Sequence, residues 1–347
     1  MTEFVPIIDI GGWDAGDADR RHQIAGETDR ACRDVGFLQV VGHGVPAAII
    51  EPLLAASDAF FGQSLADKVA YESPSPELNR GYASLGSESL SYSLGVDAPP
   101  DLFEAFNIGT DDLDDDDPVI VAERHRILAP NVWPDSMPGF RQALVGYFDE
   151  VAALAHRLTS IFAVALDVDE DFFADKTDHS TDTMRMIRYE RQPGSPDPLP
   201  GQVRMGAHTD YGIVTVLYAD PVPGLQIVGP EGVWHDVVPA PGALLVNLGD
   251  LLAEWTNDRW RSTLHRVVPP PVGDTEPARR RSVAFFHDGN YDALVEVLPT
   301  CTSADNPPRY PPIRAGDHLM AKLTAPRDGV PSTATDFAGD RLIAITP

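Results

Sequence analysis

The chain has 347 residues, with 26 Lys and Arg against 53 Asp and Glu, and a formal net charge of -27 at pH 7. That balance offers no basic face to a phosphate backbone, so no nucleic-acid partner is expected, and an anionic membrane surface is disfavoured for the same reason. Cys32 and Cys301 are too few and too isolated for a disulfide framework or a thiolate zinc site, and the start Met1 to Pro6 lacks a basic segment leading into an apolar stretch. No later run approaches the roughly 18 apolar residues of a membrane span, and a reducing, cytoplasmic setting is expected.

In chain order, Val5 to Ile10 predicts a short strand and Asp19 to Val35 a polar-faced helix stopped at Gly36. Phe37 to Val41 is an apolar strand entering the turn His43-Gly44-Val45-Pro46, where His43 reads as structural. Ile50, Leu53, Leu54, Phe60, Phe61 and Leu65 predict a second helix from Ala47 to about Ala70. Ser73 to Pro100 is rich in Ser, Pro and Gly and reads as a long ordered loop near a pocket. Asp111 to Asp117 is nearly all carboxylate but lacks the glycine and alternation of a calcium loop, and reads as a solvated loop. Within Met137 to Leu166 a stripe from Phe140 through Leu144, Val151 and Leu158 to Phe162 predicts a long helix that packs on the core.

From Thr183 onward short strands alternate with Gly and Pro turns, the pattern of an all-β barrel or sandwich. The candidates are Met184 to Tyr189, Ile213 to Tyr218, Leu225 to Val228, Val233 to Val237, Ala243 to Asn247, Thr263 to Val268, Ser282 to His287 and Leu294 to Val297. Asp317 to about Thr324 begins a terminal helix, and the last residues form a tail able to cover a pocket mouth. The chain is thus mainly β with flanking helices. Residues 1–180 form a helical and stranded region packed on the core, 181–300 the core itself and 301–347 a C-terminal segment over the pocket.

The triplet His208-Thr209-Asp210, answered by His265 in the β-branched segment Thr263 to Val268, carries the most chemistry. Two imidazoles and one carboxylate can take one face of an iron(II) ion and leave the other open to an oxidant and a co-substrate. Residues i and i+2 at a strand end point the same way, which suits the one-residue gap. A surface polar triplet would share this spacing, and zinc accepts the same donors, although no His-Glu-x-x-His helix supports a hydrolase. Arg280 and Ser282 stand two residues apart on an apolar strand, a pair able to grip a carboxylate through a forked guanidinium and a hydroxyl. Arginines 185, 188, 191, 204 and 279–281 concentrate near these segments, a local reversal of sign that suits a small anion; ion pairing with the abundant acids is the plainer account of any one of them outside the Arg280/Ser282 pair.

With these motifs in this order, the sequence resembles the iron(II)/2-oxoglutarate-dependent oxygenases of the isopenicillin N synthase type. The resemblance extends to Pro6 to Ile10, Asp34 to Val45, Val222 to Ile227 and Pro241 to Asp250, and so covers most of the chain. It implies a double-stranded β-helix, or jelly-roll, core with a helical N-terminal region. It further implies that His208, Asp210 and His265 hold iron(II), and that 2-oxoglutarate chelates the metal while resting its far carboxylate on Arg280 and Ser282. Tyr189 matches a family tyrosine that hydrogen-bonds a bound carboxylate, although Glu190 stands where the family commonly has proline.

The activity implied is the coupling of oxidative decarboxylation of 2-oxoglutarate, with O2, to hydroxylation, desaturation or cyclisation of a small-molecule metabolite, with no obligate protein partner. Tyr82, Tyr92, Phe103, Phe106 and Phe286 are expected at the substrate pocket because they border it in the family. Two alternatives stay open: an iron oxidase of the isopenicillin N synthase or aminocyclopropane oxidase type, which keeps Arg-x-Ser for another carboxylate, and a non-catalytic binding jelly roll.

Overall fold

Asp17 starts the first helix because its carboxylate accepts the backbone N–H groups of Asp19 and Arg20, satisfying donors that the helix cannot. The computed structural model describes residues 4–328 except 16, 76–77, 112, 114–115, 125–126, 191–197 and 270–278, with backbone alone over 324–328. The first half runs β1 (Ile7–Asp9), α1 (Ala18–Asp34), β2 (Phe37–Val41), α2 (Ala47–Phe61), α3 (Leu65–Val69), β3 (Gly81–Ala83), β4 (Glu104–Gly109), α4 (Pro118–Glu123) and α5 (Phe140–Ala165). The second runs β5 (Thr183–Tyr189), β6 (Met205–His208), β7 (Val214–Ala219), β8 (Leu225–Val228), β9 (Trp234–Asp236), β10 (Leu244–Leu248), α6 (Asp250–Trp255), β11 (His265–Val267), β12 (Arg280–His287), β13 (Leu294–Val295), β14 (Ile313–Arg314) and α7 (Ala315–Asp328).

Two sheets build the core, as expected of a jelly roll. The larger has the order β1-β2-β10-β7-β12-β5-β4-β3 and the smaller β6-β11-β8-β9. All pairings within them are antiparallel except β1 with β2. Strand β12 is central, flanked by β5 and β7, and its alternation divides the interior. Val283 and Phe285 point outward into the helical core, where Phe285 meets Phe148 of α5 edge-on at 4.9 Å. Burying such a ring contributes about 2–3 kcal/mol. Arg280, Ser282, Ala284 and Phe286 point the other way, into the cavity between the sheets.

Several expectations about local structure need correction. The helix predicted over residues 47–70 breaks at Gly62: α3 is a separate turn, started by Ser64, whose hydroxyl accepts the Asp67 N–H. The loop predicted over 73–100 contains β3 and a short 3-10 turn at Leu90–Leu94. Strand β4 escaped notice because its six residues are all buried, so no alternation marks it, and Glu104 and Asn107 interrupt its apolar run. Glu104 is tolerated there because Lys68 at 2.5 Å, Arg188 at 2.8 Å and the Tyr82 hydroxyl at 2.8 Å surround its carboxylate. The acidic run is not merely solvated: Asp111 accepts from Asn131, Trp133 and Arg141, and Asp117 caps α4, while 112, 114 and 115 lie outside the described residues.

Candidate metal and co-substrate site

His208 ends β6 and His265 begins β11, and the two residues sit directly opposite one another in the small sheet. Their rings stand 4.2 Å apart between centroids. Each uses Nδ1 on a backbone carbonyl two residues earlier, His208 on Gly206 at 2.8 Å and His265 on Thr263 at 3.1 Å. That bond makes Nδ1 the protonated nitrogen, so Nε2 presents its lone pair inward. Asp210, two residues past the strand end, brings Oδ1 to 3.8 Å from Nε2 of His208 and 3.7 Å from Nε2 of His265. One potential donor atom from each residue falls within 4.8 Å of the others, and all three residues are buried.

Hydrogen bonds also orient the carboxylate. Thr215 of β7 donates to Asp210 Oδ2 at 2.5 Å and Asn247 of β10 donates to the same oxygen at 2.6 Å, leaving Oδ1 for a cation. Burial and the neighbouring His265 ring push the His208 pKa down to about 4, so this imidazole is neutral and ready to ligate at physiological pH. The turn after Asp210 is fastened from below. Asp250 N–H donates to the Asp210 carbonyl at 2.8 Å, while Thr209 and Lys322 of α7 both donate to Asp250 Oδ2 at 3.0 Å. Two imidazole nitrogens, one carboxylate oxygen and an otherwise open cavity match the donor set of a non-haem iron(II) centre.

The expected strand register at the other motif is also present. Arg280 is 1 % exposed, and its Nε and Nη1 have no hydrogen-bond partner among the described residues. Its neighbour Arg281 faces away, with Nε and Nη2 on Asp220 at 3.0 and 3.1 Å and Nη1 on Asp58 at 2.9 Å. Burial lowers the Arg280 pKa from its usual value, but an arginine stays charged, so a cation with idle donors is held inside the protein. Such a group is costly unless an anion joins it. Ser282 lies two residues along the same face, and Tyr189, its ring 5.2 Å from the Arg280 guanidinium carbon, completes a cationic end of the cavity. Here the residues present fit the distal carboxylate of 2-oxoglutarate.

Of the aromatic residues expected at the substrate pocket, only Phe286 lines the cavity. Tyr82 and Phe106 are core residues: Tyr82 is bonded to Glu104, and Phe106 packs against Phe60 at 4.7 Å and Phe140 at 5.1 Å. Phe103 sits behind the wall, edge-on to Tyr189 at 6.3 Å, and Tyr92 binds Asp97 instead. In their place the cavity takes Asn79, Glu88, Arg185, Tyr211, Asp288 and Leu319, drawn from six separate segments. Arg185 is not free to meet an anion, since Glu88 receives both of its Nη atoms at 2.8 and 2.9 Å and Asn107 its Nε at 2.8 Å. Arg188 pairs with Glu104, and Arg191 lies outside the described residues. Thr215 and Asn247 were missed as partners of Asp210, although a lone Asn within Leu244-Leu245-Val246-Asn247-Leu248 is a readable signal of a buried polar task.

Comparison with known proteins agrees with this geometry. Residues 5–136 match the family described as non-haem dioxygenase in morphine synthesis N-terminal, and residues 181–289 match the 2OG-Fe(II) oxygenase superfamily. A 2-oxoglutarate-Fe(II) type oxidoreductase, hxnY, of Emericella nidulans is 35% identical over 316 residues, covering 90% of this chain and 87% of the relative. Validamycin A dioxygenase of Streptomyces hygroscopicus subsp. limoneus is 30% identical, with 93% and 86% covered. Among solved structures, a full-length Neurospora crassa protein in complex with alpha-KG superposes with a TM-score of 0.81 at 30% identity, covering 92% of this chain and 96% of the other. The chain therefore belongs to the 2OG-Fe(II) oxygenase superfamily. It is a 2-oxoglutarate-dependent iron(II) oxygenase that acts on a small molecule. Among the described residues no helix is long and apolar enough to cross a membrane.

Proposed function

We propose that His208, Asp210 and His265 are the iron(II) ligands, that Arg280, Ser282 and Tyr189 bind the distal carboxylate of 2-oxoglutarate, and that a small metabolite beside Phe286 is hydroxylated. The observation that carries this reading is the buried Arg280 guanidinium with two idle N–H donors on the same inward strand face that passes the three candidate ligands. Bound iron(II) supplies the activation of O2 that lets one oxygen atom enter succinate, with release of carbon dioxide, and the other enter a C–H bond. The protein's residues do the rest. Thr215 and Asn247 hold the Asp210 carboxylate, Arg280 fixes the length and direction of the co-substrate, and the apolar wall of Leu217, Leu225 and Ile187 excludes water beside it. The relative named validamycin A dioxygenase, and the Neurospora protein also solved with thymine, support a small metabolite as the substrate. A cytoplasmic setting fits two buried free cysteines.

The test is succinate release by the purified chain supplied with iron(II), 2-oxoglutarate and O2, and a candidate metabolite. Omission of 2-oxoglutarate should stop turnover; undiminished turnover without it would assign the chain to the oxidases that need no such co-substrate. His208→Ala, Asp210→Ala and His265→Ala should each abolish succinate release and weaken iron(II) binding, because each removes one of three protein ligands. Retention of iron(II) affinity in all three variants would remove the metal assignment.

A further inference from the structure

The inward face of β12 does not end with the co-substrate residues. Arg280, Ser282, Ala284 and Phe286 alternate into the cavity, and Asp288, immediately past the strand, continues the same series. At about 3.3 Å per residue, Asp288 lies roughly 26 Å along the strand path from Arg280. The metal ligands sit near its end of that path, since Phe286 pairs with Thr215 and Thr215 bonds Asp210. Asp288 is therefore one inward position beyond the level of the candidate ligand Asp210, on the side away from Arg280.

Its carboxyl group is built into the wall and has no donor among the described residues. Asp288 is 6 % exposed, and its backbone N–H goes to Asp182 Oδ1 at 3.0 Å. His287 also serves Asp182, through Nδ1 at 3.1 Å. No described group donates to the Asp288 oxygens. Gly212, two residues past Asp210, makes room for them: a Cβ there would fall 1.8 Å from Asp288 Oδ1. A buried carboxylate without donors is unfavourable, as the buried cation at Arg280 is, and the same logic calls for a ligand of opposite character.

We infer that Asp288 is the recognition group for the primary substrate, and that this substrate carries a basic, protonated nitrogen on an apolar or ring-shaped body. The inference rests on the proposed function for the position of the metal. Arg185 does not offset the negative end, because Glu88 already neutralises it within the same wall. Glu88 and Arg185 pair with each other, which leaves the Asp288 carboxyl group facing the cavity beside Phe286, Ile127 and Leu319, a setting that suits a cation on an apolar body. The formal charge of -27 over the whole chain also favours approach of a cation over an anion. A nitrogen on Asp288 places the C–H to be oxidised only a few bonds away from it, because the candidate metal lies at the adjacent strand level.

Benzylamine, benzyl alcohol and benzoate form a matched cation, neutral and anion series. Calorimetric titration of each into the full chain, under anaerobic conditions, with and without iron(II) and 2-oxoglutarate, reads the contact directly. Benzylamine should bind more tightly than both others by about 10- to 100-fold, the range for one charge-assisted hydrogen bond in a buried site. Asp288→Asn and the smaller Asp288→Ser should both lose that preference, while the visible band of the iron–2-oxoglutarate chelate still forms. Equal binding of the three probes, tighter binding of benzoate, or no binding of benzylamine overturns the inference. So does benzylamine affinity that survives in both variants, which is the result expected if the amine merely ligates the metal. Absence of the chelate band in the parent chain would instead overturn the roles given to the metal ligands and Arg280, and the titrations without iron(II) would still decide Asp288.

Discussion

The two ends of the cavity solve opposite electrostatic problems with one strand. At the first end Arg280 is a buried cation whose donors await a carboxylate, and Ser282 and Tyr189 stand beside it. At the second end Asp288 is a buried carboxyl group, which burial and the neighbouring Asp182 push up to about 7, and Arg185 in the same wall is consumed by Glu88. One end is specified by a local pattern, Arg-x-Ser on alternating strand positions. The other is assembled from side chains at 79, 88, 185, 211, 288 and 319 that no spacing connects. If the proposed roles hold, the difference separates shared chemistry from particular chemistry: a fixed co-substrate demands a fixed motif, while a variable substrate meets residues carried by loops and element ends.

The first end can be broken most severely. Arg280→Ala should raise the 2-oxoglutarate requirement by roughly 30- to several thousand-fold, since truncating one partner of a buried forked pair costs about 2–5 kcal/mol. Iron(II) binding should remain, because Arg280 touches none of the three ligands. Arg281→Ala should change 2-oxoglutarate affinity little: its guanidinium is spent on Asp220 and Asp58 on the opposite face. Titration of the chelate band in the two variants compares them, and a larger loss in Arg281→Ala than in Arg280→Ala would reverse the register of β12.

The same contrast explains what could be read from the sequence. The clustering of His208, Asp210 and His265 was legible because the ligation expected of them restricts residue type and a strand end restricts spacing. Arg280 was distinguishable from Arg281 because strands alternate. Tyr82, Phe103 and Phe106 were misplaced because aromatic character does not tell core from pocket. Their partners, Glu104, Tyr189 and Phe60, are far away in sequence. Strand β4 and the break at Gly62 were hidden for a related reason: burial on both faces erases periodicity, and a polar cluster such as Lys68, Glu104 and Arg188 becomes intelligible only when the three are seen together. Asp288 reads as an ordinary turn residue in His287-Asp288-Gly289-Asn290 until the cavity shows what it faces.

A smaller effect separates ligand placement from co-substrate binding. Thr215→Val keeps shape but removes the 2.5 Å donor to Asp210 Oδ2, leaving Asn247 at 2.6 Å as its remaining orienting contact. Iron(II) affinity should fall about 10-fold, the lower end of the range for loss of a partner behind a metal ligand. At saturating iron(II), 2-oxoglutarate affinity should stay within about threefold of the parent, because the cationic end is untouched. Equal weakening of both would show that the candidate metal site and the cationic end are mechanically coupled through β7.

The smallest effect tests how the substrate end is closed. Helix α7 supplies Leu319 to the cavity wall and is held by His318, whose Nε2 lies 3.1 Å from the Tyr211 carbonyl, and by Lys322 on Asp250. Burial pushes the His318 pKa down to about 4 from an ordinary 6.5, so the folded protein holds this ring neutral, donating from Nε2. Between these values the unfolded chain binds the extra proton and the folded one does not. Stability attributable to this group therefore falls as pH drops below about 6.5, by about 1 kcal/mol at pH 5.5. His318→Gln keeps an N–H donor for Tyr211 and removes the titration. Denaturant unfolding of the two proteins at pH 7.5 and 5.5 should show a smaller loss of stability in the variant, by that amount. An identical loss in both would mean that His318 is protonated in the folded state, and that α7 closes the substrate end without a buried neutral imidazole.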